Sequence, residues 1–476
     1  MCVIGAGPAG IAGAIRATDL GKRVALVDAG PLGGAGIFDG ALSSKTLWHL
    51  ASDFARAHRA DRGYDGDQLH ISWRALQEQV GEACGEARTL VARQLAALAE
   101  PKGDRGTIAH IQGRAKFVAP HAVDVGGVRV EADKFLVAVG SRPRVPPGIA
   151  VDGERVLTSD QIEHIPDLPA RLAIVGAGVV GCEYATIFSQ LGVGVDLFDR
   201  QSRILPFEDE DVSAVVAARF HTLGATVQRC AKIETITRVA DEVEIAWTDE
   251  HGAKQTKRYD RVLVATGRGP STDGLGLDIA GVELDRGGGV VSGDGTRTSA
   301  AHVWAAGDVT PDVMLANLAE LEARQAVEDM YGLDPAPLVH EAQAAIYFLS
   351  PEVAVVGLNE QMARAKGIDY RAAYVSNAID RRNIAMRSTV GFVKLLARRD
   401  GRLLGLRVVG PQAGTAIQGV ALLIGQGDTL EAVERCVHPH PSVTEAVLEA
   451  ARVLLGRSIY KPDALPELVR VSEYSI

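Results

Sequence analysis

The feature that most narrows what this chain can fold into is a pattern that it carries twice. Gly5-x-Gly7-x-x-Gly10 follows a short β-branched segment and leads into an apolar, helix-like stretch, Ile11 to Leu20. Gly176-x-Gly178-x-x-Gly181 follows Leu172-Ala-Ile-Val175 and leads into Cys182 to Leu191. Each has an acidic residue 23 positions past its first glycine, at the end of the next strand: Asp28 in Val24-Ala-Leu-Val-Asp28 and Asp199 in Val195-Asp-Leu-Phe-Asp199. The first glycine permits a tight turn, the second lets a phosphate approach the backbone, and the third lets helix and strand pack closely. The helix N-terminus supplies N–H groups and positive potential to a pyrophosphate, and the carboxylate accepts from ribose hydroxyls. One such motif alone is a weak indicator. Two complete strand–turn–helix–strand–acid units predict two dinucleotide-binding domains.

A second pair of echoes divides the chain further. Asp133-Lys-Phe-Leu-Val-Ala-Val-Gly140 parallels Asp260-Arg-Val-Leu-Val-Ala-Thr-Gly267, a polar start, a buried strand and a small-residue turn. Val303-Trp-Ala-Ala-Gly-Asp308 is another apolar strand ending in an acid, followed by a helix-like run from Leu315 to Tyr331. Pro335 and Pro337 mark a boundary. Beyond it, strands (Gly391 to Leu396, Leu403 to Val409) alternate with helices (Thr415 to Gln426, Glu445 to Leu455), as expected of an α+β domain. The predicted class is α/β, with two Rossmann-like domains and a C-terminal α+β domain. The expected divisions are 1–150 with 270–338, 151–269, and 339–476.

Composition removes other classes. With 476 residues, 47% hydrophobic and 23% charged, the chain is an ordinary globular protein too long for one core. A net charge of −10 offers no surplus for a nucleic-acid backbone, and no apolar run approaches the roughly 20 residues of a membrane-spanning helix. Met1-Cys2-Val3-Ile4 runs directly into the first glycine motif rather than into a secretory signal, so a cytoplasmic location is the expectation. The five cysteines (Cys2, Cys84, Cys182, Cys230, Cys436) show no metal-ligand spacing, and no metal site is expected.

The order of these motifs resembles the two-dinucleotide-domain flavoproteins of the pyridine nucleotide–disulfide oxidoreductase family over essentially the whole chain. The resemblance implies FAD on the first unit, held by Gly5, Gly7, Pro8, Ala9, Gly10, Asp28, Gly33, Gly34, Lys45, Ala115, Gly140, Ser141 and Asp308. Met314, Leu315 and Ala316 would lie near the isoalloxazine. It implies NAD(H), with NADP(H) as the alternative, on Gly176, Gly178, Val179, Val180, Glu183, Asp199, Arg200 and Gly267. It further implies a homodimer built through the C-terminal domain, whose interface motifs are Phe348 to Gly357 and His438 to Glu445. Lys45 and Glu183 would act as a pair beside the flavin, and His440 with Glu445 as a proton-handling pair. The segment Gly178 to Phe188 looks most like the soluble transhydrogenase branch.

One stretch departs from that family. Its disulfide-reducing members carry G-G-x-C-x-x-x-x-C-x-P-S-K, whereas this chain reads Gly33-Gly-Ala-Gly-Ile-Phe-Asp-Gly-Ala-Leu-Ser-Ser-Lys45, with Gly36 and Ala41 at the two cysteine positions. Thiol–disulfide exchange needs a thiolate, and Cys2 and Cys84 are displaced from this stretch in the alignment. A dithiol relay is therefore not expected. Lys45 is read as lying in the first turn of a helix opened by Ser43 or Ser44, where a cation opposes the helix dipole. For His440 and Glu445 a second reading stays open, because Ser442-x-x-Glu445 is also a capping box. Asp199 favours NAD, while Arg200 and Arg203 beside it would suit a 2′-phosphate. The expected function is an FAD-dependent NAD(P)H oxidoreductase that passes electrons to a small non-disulfide acceptor: a second nucleotide, a quinone or oxygen. The alternative is a flavin- and nucleotide-binding homodimer acting as a partner or sensor subunit.

Overall fold

The computed structural model describes residues 1–64, 66, 69–293 and 295–475. They form two compact units, each assembled from two stretches of chain: 1–169 with 261–338, and 170–260 with 339–476.

In the first unit, Val303–Ala305, Phe135–Val137, Cys2–Ile4, Val24–Asp28 and Ile108–Gln112 make a five-stranded sheet in that order, and every pairing is parallel. The strands read as unbroken apolar runs because both faces of a parallel sheet are covered. On one face the helices Pro8–Asp19 and Ala316–Met330 pack through small residues, and a Cβ on Gly13 would lie 3.5 Å from that of Ala323. The other face carries an antiparallel meander of Ala115–Ala119, Ala122–Val125 and Val128–Glu131, whose Phe117 and Val123 share a core with Val27 and Phe135. Within the same unit Val156–Thr158 pairs in parallel with Arg261–Val264.

In the second unit, Arg171–Val175, Gly194–Phe198 and Thr226–Gln228 pair in parallel, followed by a meander of Lys232–Val239, Glu242–Thr248 and Lys254–Tyr259. Residues 339–476 contribute a six-stranded antiparallel sheet. The helices Ala413–Gln426 and Thr444–Leu454 bury their apolar sides in its core. The α/β class with Rossmann-like parallel sheets and a C-terminal α+β portion is as the sequence predicts. The long helix Trp73–Ala99 and both meanders were not in that reading.

Candidate functional site

The two glycine turns are built alike. Gly5 and Gly176 take φ of +105° and +107°, a region that side-chain-bearing residues avoid. The third glycines are walled in: a Cβ on Gly10 would lie 1.8 Å from the Gly5 carbonyl oxygen, and one on Gly181 would lie 1.8 Å from that of Gly176. The middle glycines face open space, with nothing within 4 Å of a Cβ on Gly7 or Gly178. These two residues are the N-caps of helices Pro8–Asp19 and Val179–Gln190, and neither helix has a side-chain cap. Their first-turn N–H groups therefore have no acceptor within the helix. Each turn offers the open, positively polarised cradle that a pyrophosphate fits.

The acids close these turns from below. Asp199 Oδ2 accepts from the Ala177 N–H (2.7 Å) and Oδ1 from Gln201 N–H (2.8 Å). Asp28 Oδ1 accepts from Gly30 N–H (3.3 Å). Burial pushes the Asp28 carboxyl above its ordinary range, against the pull of the Gly30, Ala6 and Ala29 N–H groups. Gly113 N–H donates to the Asp28 carbonyl (2.8 Å), which brings the Ala115 strand to the same sheet edge.

The stretch Gly33 to Lys45 folds back on the first turn. Gly33 N–H donates to the Ala6 carbonyl (2.8 Å). A Cβ on Gly34 would stand 3.2 Å from Gly7 Cα, and one on Gly36 would stand 2.5 Å from Pro8 Cγ. The helix that follows is Ala41–Ala57 with Gly40 as its N-cap, not one opened by Ser43 or Ser44. Both serines sit inside its first turn: Gly40 N–H donates to Ser43 Oγ (3.1 Å), and Ser44 Oγ donates to the Gly40 carbonyl (2.5 Å). Lys45 is thus the fifth helical residue, past the turn where the dipole would oppose it, and its Nζ donates to Ser44 Oγ (3.3 Å).

Around Asp308 the structure gathers the expected Ser141 and adds Arg268 and Glu322, which the sequence did not single out. Ser141 Oγ donates to Asp308 Oδ2 (2.7 Å), and Arg268 donates to both Ser141 Oγ and its carbonyl (2.8 Å each). Gly307 N–H donates to Glu322 Oε2 (2.7 Å). Burial, reinforced by Asp312 and Asp308, pushes the Glu322 carboxyl up to about 7. Position offered a hint for Arg268, which directly follows the Gly267 turn; Glu322 lies on the core side of an amphipathic helix and gave none. The Gly140 carbonyl accepts from Ser271 N–H (3.0 Å). Met314 is partly exposed, Leu315 is the N-cap of Ala316–Met330, and Ala316 is its first residue. Gly267 lies in the first unit, its carbonyl accepting from Arg144 N–H (2.8 Å).

In the second unit, buried Glu183 accepts from Phe348 N–H through Oε1 (2.9 Å), joining two stretches far apart in sequence. Val179 and Val180 open its helix. Arg200 is exposed. Arg203 is engaged within this unit: its Nη2 donates to the carbonyls of Pro206 (3.0 Å) and Glu208 (3.1 Å) and to Gln361 Oε1 (2.6 Å). His440 Nδ1 lies 2.8 Å from Glu445 Oε1, and Ser442 N–H donates to Glu445 Oε2 (3.1 Å). Burial opposes ionisation of Glu445, but these two hydrogen bonds prevail and hold its carboxyl below the usual range. The helix there begins at Thr444 after a helical Val443 without a side-chain cap. Only the Glu445 half of the expected capping box forms.

All five cysteines are free. Cys84, remote from the loop in the alignment, is against it in space: its Sγ donates to the Ile37 carbonyl (3.2 Å). Burial, with Glu163 and Asp39 nearby, pushes its thiol above the ordinary value, which disfavours the thiolate. Among the described residues no group of three or more His, Cys, Asp or Glu is placed to hold a metal ion. Among them, too, no helix is long and apolar enough to cross a membrane.

Residues 1–323 match the model of the pyridine nucleotide-disulphide oxidoreductases, and residues 343–451 match the dimerisation domain of the same family. The chain belongs to that family. Its members depend on FAD and use NAD(H). Among similar proteins are dihydrolipoyl dehydrogenase 3 of Haloarcula marismortui, 33% identical over 96% of this chain and 97% of that protein, and the dihydrolipoyl dehydrogenase of Geobacillus stearothermophilus, 32% identical over 96% of both. Among solved structures, LpdA from Mycobacterium tuberculosis is 29% identical and superposes with a TM-score of 0.85 over 95% of this chain and 98% of its own. The HOCl-induced flavoprotein disulfide reductase RclA from Escherichia coli is 25% identical, with a TM-score of 0.83 over 95% and 99%.

Proposed function

We propose that this flavoprotein is an NAD(P)H oxidoreductase that delivers electrons from FAD to a small non-disulfide acceptor, a second nucleotide or a quinone- or oxygen-type molecule. The observation that carries the proposal is the loop from Gly33 to Lys45. It contains no sulfur, and Gly36 is pressed on Pro8 where a side chain has no room. The one cysteine against it, Cys84, is a single buried thiol with its ionisation disfavoured, and dithiol exchange needs two sulfurs and a thiolate.

In this reading the first unit holds FAD, with the pyrophosphate over Gly7 and the Pro8–Asp19 helix N-terminus, the adenosine ribose at Asp28, and the ribityl chain at Asp308. Ser141 and Arg268 orient the Asp308 carboxylate, and Glu322 fixes the Gly307 amide beside it. FAD supplies two-electron transfer between a nicotinamide and the acceptor. The Gly178 cradle holds the nicotinamide nucleotide, and Asp199 reads its ribose, favouring NAD(H); Arg200 alone remains to tolerate NADP(H). Lys45 places a fixed positive charge near the flavin. His440, oriented by Glu445 and reached across a homodimer interface, handles a proton. Anaerobic titration with NADH tests the proposal: the flavin should bleach to its ordinary reduced form, with no long-wavelength thiolate-to-flavin band, and should then reoxidise with quinones, oxygen or thio-NAD. A flavin that stays oxidised would leave the chain a binding subunit; a thiolate band would show that a displaced cysteine has taken the disulfide's place.

A further inference from the structure

One construction in the first unit is not absorbed by that account. The helix Trp73–Ala99 grips two separate segments and brings them face to face. Near its start, Trp73 Nε1 donates to the Ile165 carbonyl (2.7 Å), and Gln77 Nε2 donates to the carbonyls of Glu163 (2.9 Å) and Ile165 (3.0 Å). About two turns further along, Cys84 donates to the Ile37 carbonyl of the sulfur-free loop. The two segments meet through side chains, with His164 Nε2 lying 2.6 Å from Asp39 Oδ1. Asp39 reaches that position from a left-handed backbone (φ +51°), a conformation that costs energy for a residue other than glycine.

The pair has the layout of an oriented acid. Asp39 engages Nε2, and Nδ1 has no hydrogen-bond partner among the described residues, while the ring is 67% exposed. Resting on the function proposed above, we infer that His164 is the proton donor to the acceptor, positioned by Asp39, and that the acceptor is a quinone, whose carbonyl becomes an oxyanion on reduction. With FAD and NADH bound, the quinone would gain a hydride equivalent, two electrons and one proton, so that one C=O becomes C–OH and the other C–O⁻. The His164 Nδ1–H bond breaks as its proton moves to that oxyanion, giving the hydroquinone. The neutral imidazole keeps its Nε2–H on Asp39 and regains a proton from solvent. The hydrogen bond to the Asp39 carboxylate, opposed by partial burial and aided by Glu163, raises the imidazole above its ordinary value, so the charged form persists to higher pH. The charged groups that act on it are Asp39 on the loop and Glu163 on its own segment; Asp39 in turn acts on Cys84 on the long helix and on Asp160.

The experiment compares menadione, which must be protonated, with ferricyanide, which takes electrons alone. In His164→Gln the ratio of menadione to ferricyanide turnover should fall on the order of 100-fold, the usual worth of a general acid. In Asp39→Asn the alkaline limb of menadione turnover should move to lower pH. Independently of turnover, ¹³C-histidine NMR of the oxidised protein should show an imidazole titrating above its ordinary value whose signal is absent in His164→Gln and whose titration shifts down in Asp39→Asn. An unchanged turnover ratio in His164→Gln overturns the inference. So does a wild-type protein whose flavin bleaches with NADH yet reduces no quinone, a result that leaves the proposed function standing. A flavin that NADH does not bleach sinks both.

Discussion

Gly36→Ala tests the loop where it matters most, because the substitution adds one methyl and nothing else. The new Cβ would sit 2.5 Å from Pro8 Cγ and 3.1 Å from Pro8 Cδ. Pro8 is the first residue of the helix proposed to hold the FAD pyrophosphate, and its ring cannot swing aside. Overpacking of this kind costs about 1–3 kcal/mol. Stiffening the unfolded chain returns about 0.4–1 kcal/mol where the native backbone suits alanine, and the Gly36 φ lies outside the left-handed region. The net expectation is a loss of up to about 2.6 kcal/mol, or up to roughly 10 °C in the melting temperature of a body this size, together with weaker FAD retention. Gly81→Ala is the internal control. It lies within Trp73–Ala99 with nothing within 4 Å of its Cβ, and it should gain about 0.8–1 kcal/mol from helix propensity. Thermal unfolding and flavin content of the purified holoprotein read both variants. If the two substitutions shift the midpoint in the same direction, or Gly36→Ala keeps full FAD, the packing of the loop on Pro8 is wrong.

Other expectations follow from the same geometry. Asp308→Ala should loosen FAD, measured as flavin lost on gel filtration, and a normal flavin content would count against the ribityl assignment. Asp199→Ala should raise the NADH KM about tenfold, given roughly 1.5–3 kcal/mol for a hydrogen bond to a charged acceptor, and move preference toward NADPH. Arg203→Ala should instead lower stability and leave the NADH/NADPH ratio alone, because its guanidinium holds Pro206, Glu208 and Gln361; a changed ratio would return it to the nucleotide site. The Glu322 carboxyl is raised from 4.5 to about 7 in the folded state. The native protein therefore binds the extra proton, and its stability should fall as pH rises from about 4.5 to about 7. Glu322→Gln should flatten that slope in melting curves; identical slopes would remove Glu322 as the cause.

Much of the fold was legible because its determinants are local. The glycine spacing, the strand-end acids and the apolar strands are each written within some 25 residues, and helix ends differ from the expected ones by only a few positions. What was not legible joins residues far apart. Cys84 reads as remote from the loop, yet the helix Trp73–Ala99 brings it to Ile37. Arg203 reads as a loop cation, but its partner Gln361 is 158 residues away. Lys394, nearly sealed from solvent among Asp209, Asp211 and Glu360, reads as an ordinary strand lysine. The start of the Ala41–Ala57 helix was misplaced for a different reason: serines favour N-caps, and here a glycine occupies the cap while both serines bond to it from within the first turn.

The helices Pro8–Asp19 and Ala316–Met330, packed small residue against small residue, lie almost at opposite ends of the first unit's sequence. At 5–20 residues per second, roughly 300 residues of synthesis separate them, or about 15–60 s on the ribosome. For that interval the emerging chain presents the bare Gly13, Ala14 and Ala17 face with no mate, and residues 170–260 are likewise waiting for 339–476. Neither unit is complete before the ribosome has passed residue 300, so a chain cut at residue 169 or 260 lacks part of each unit and should not yield a folded half.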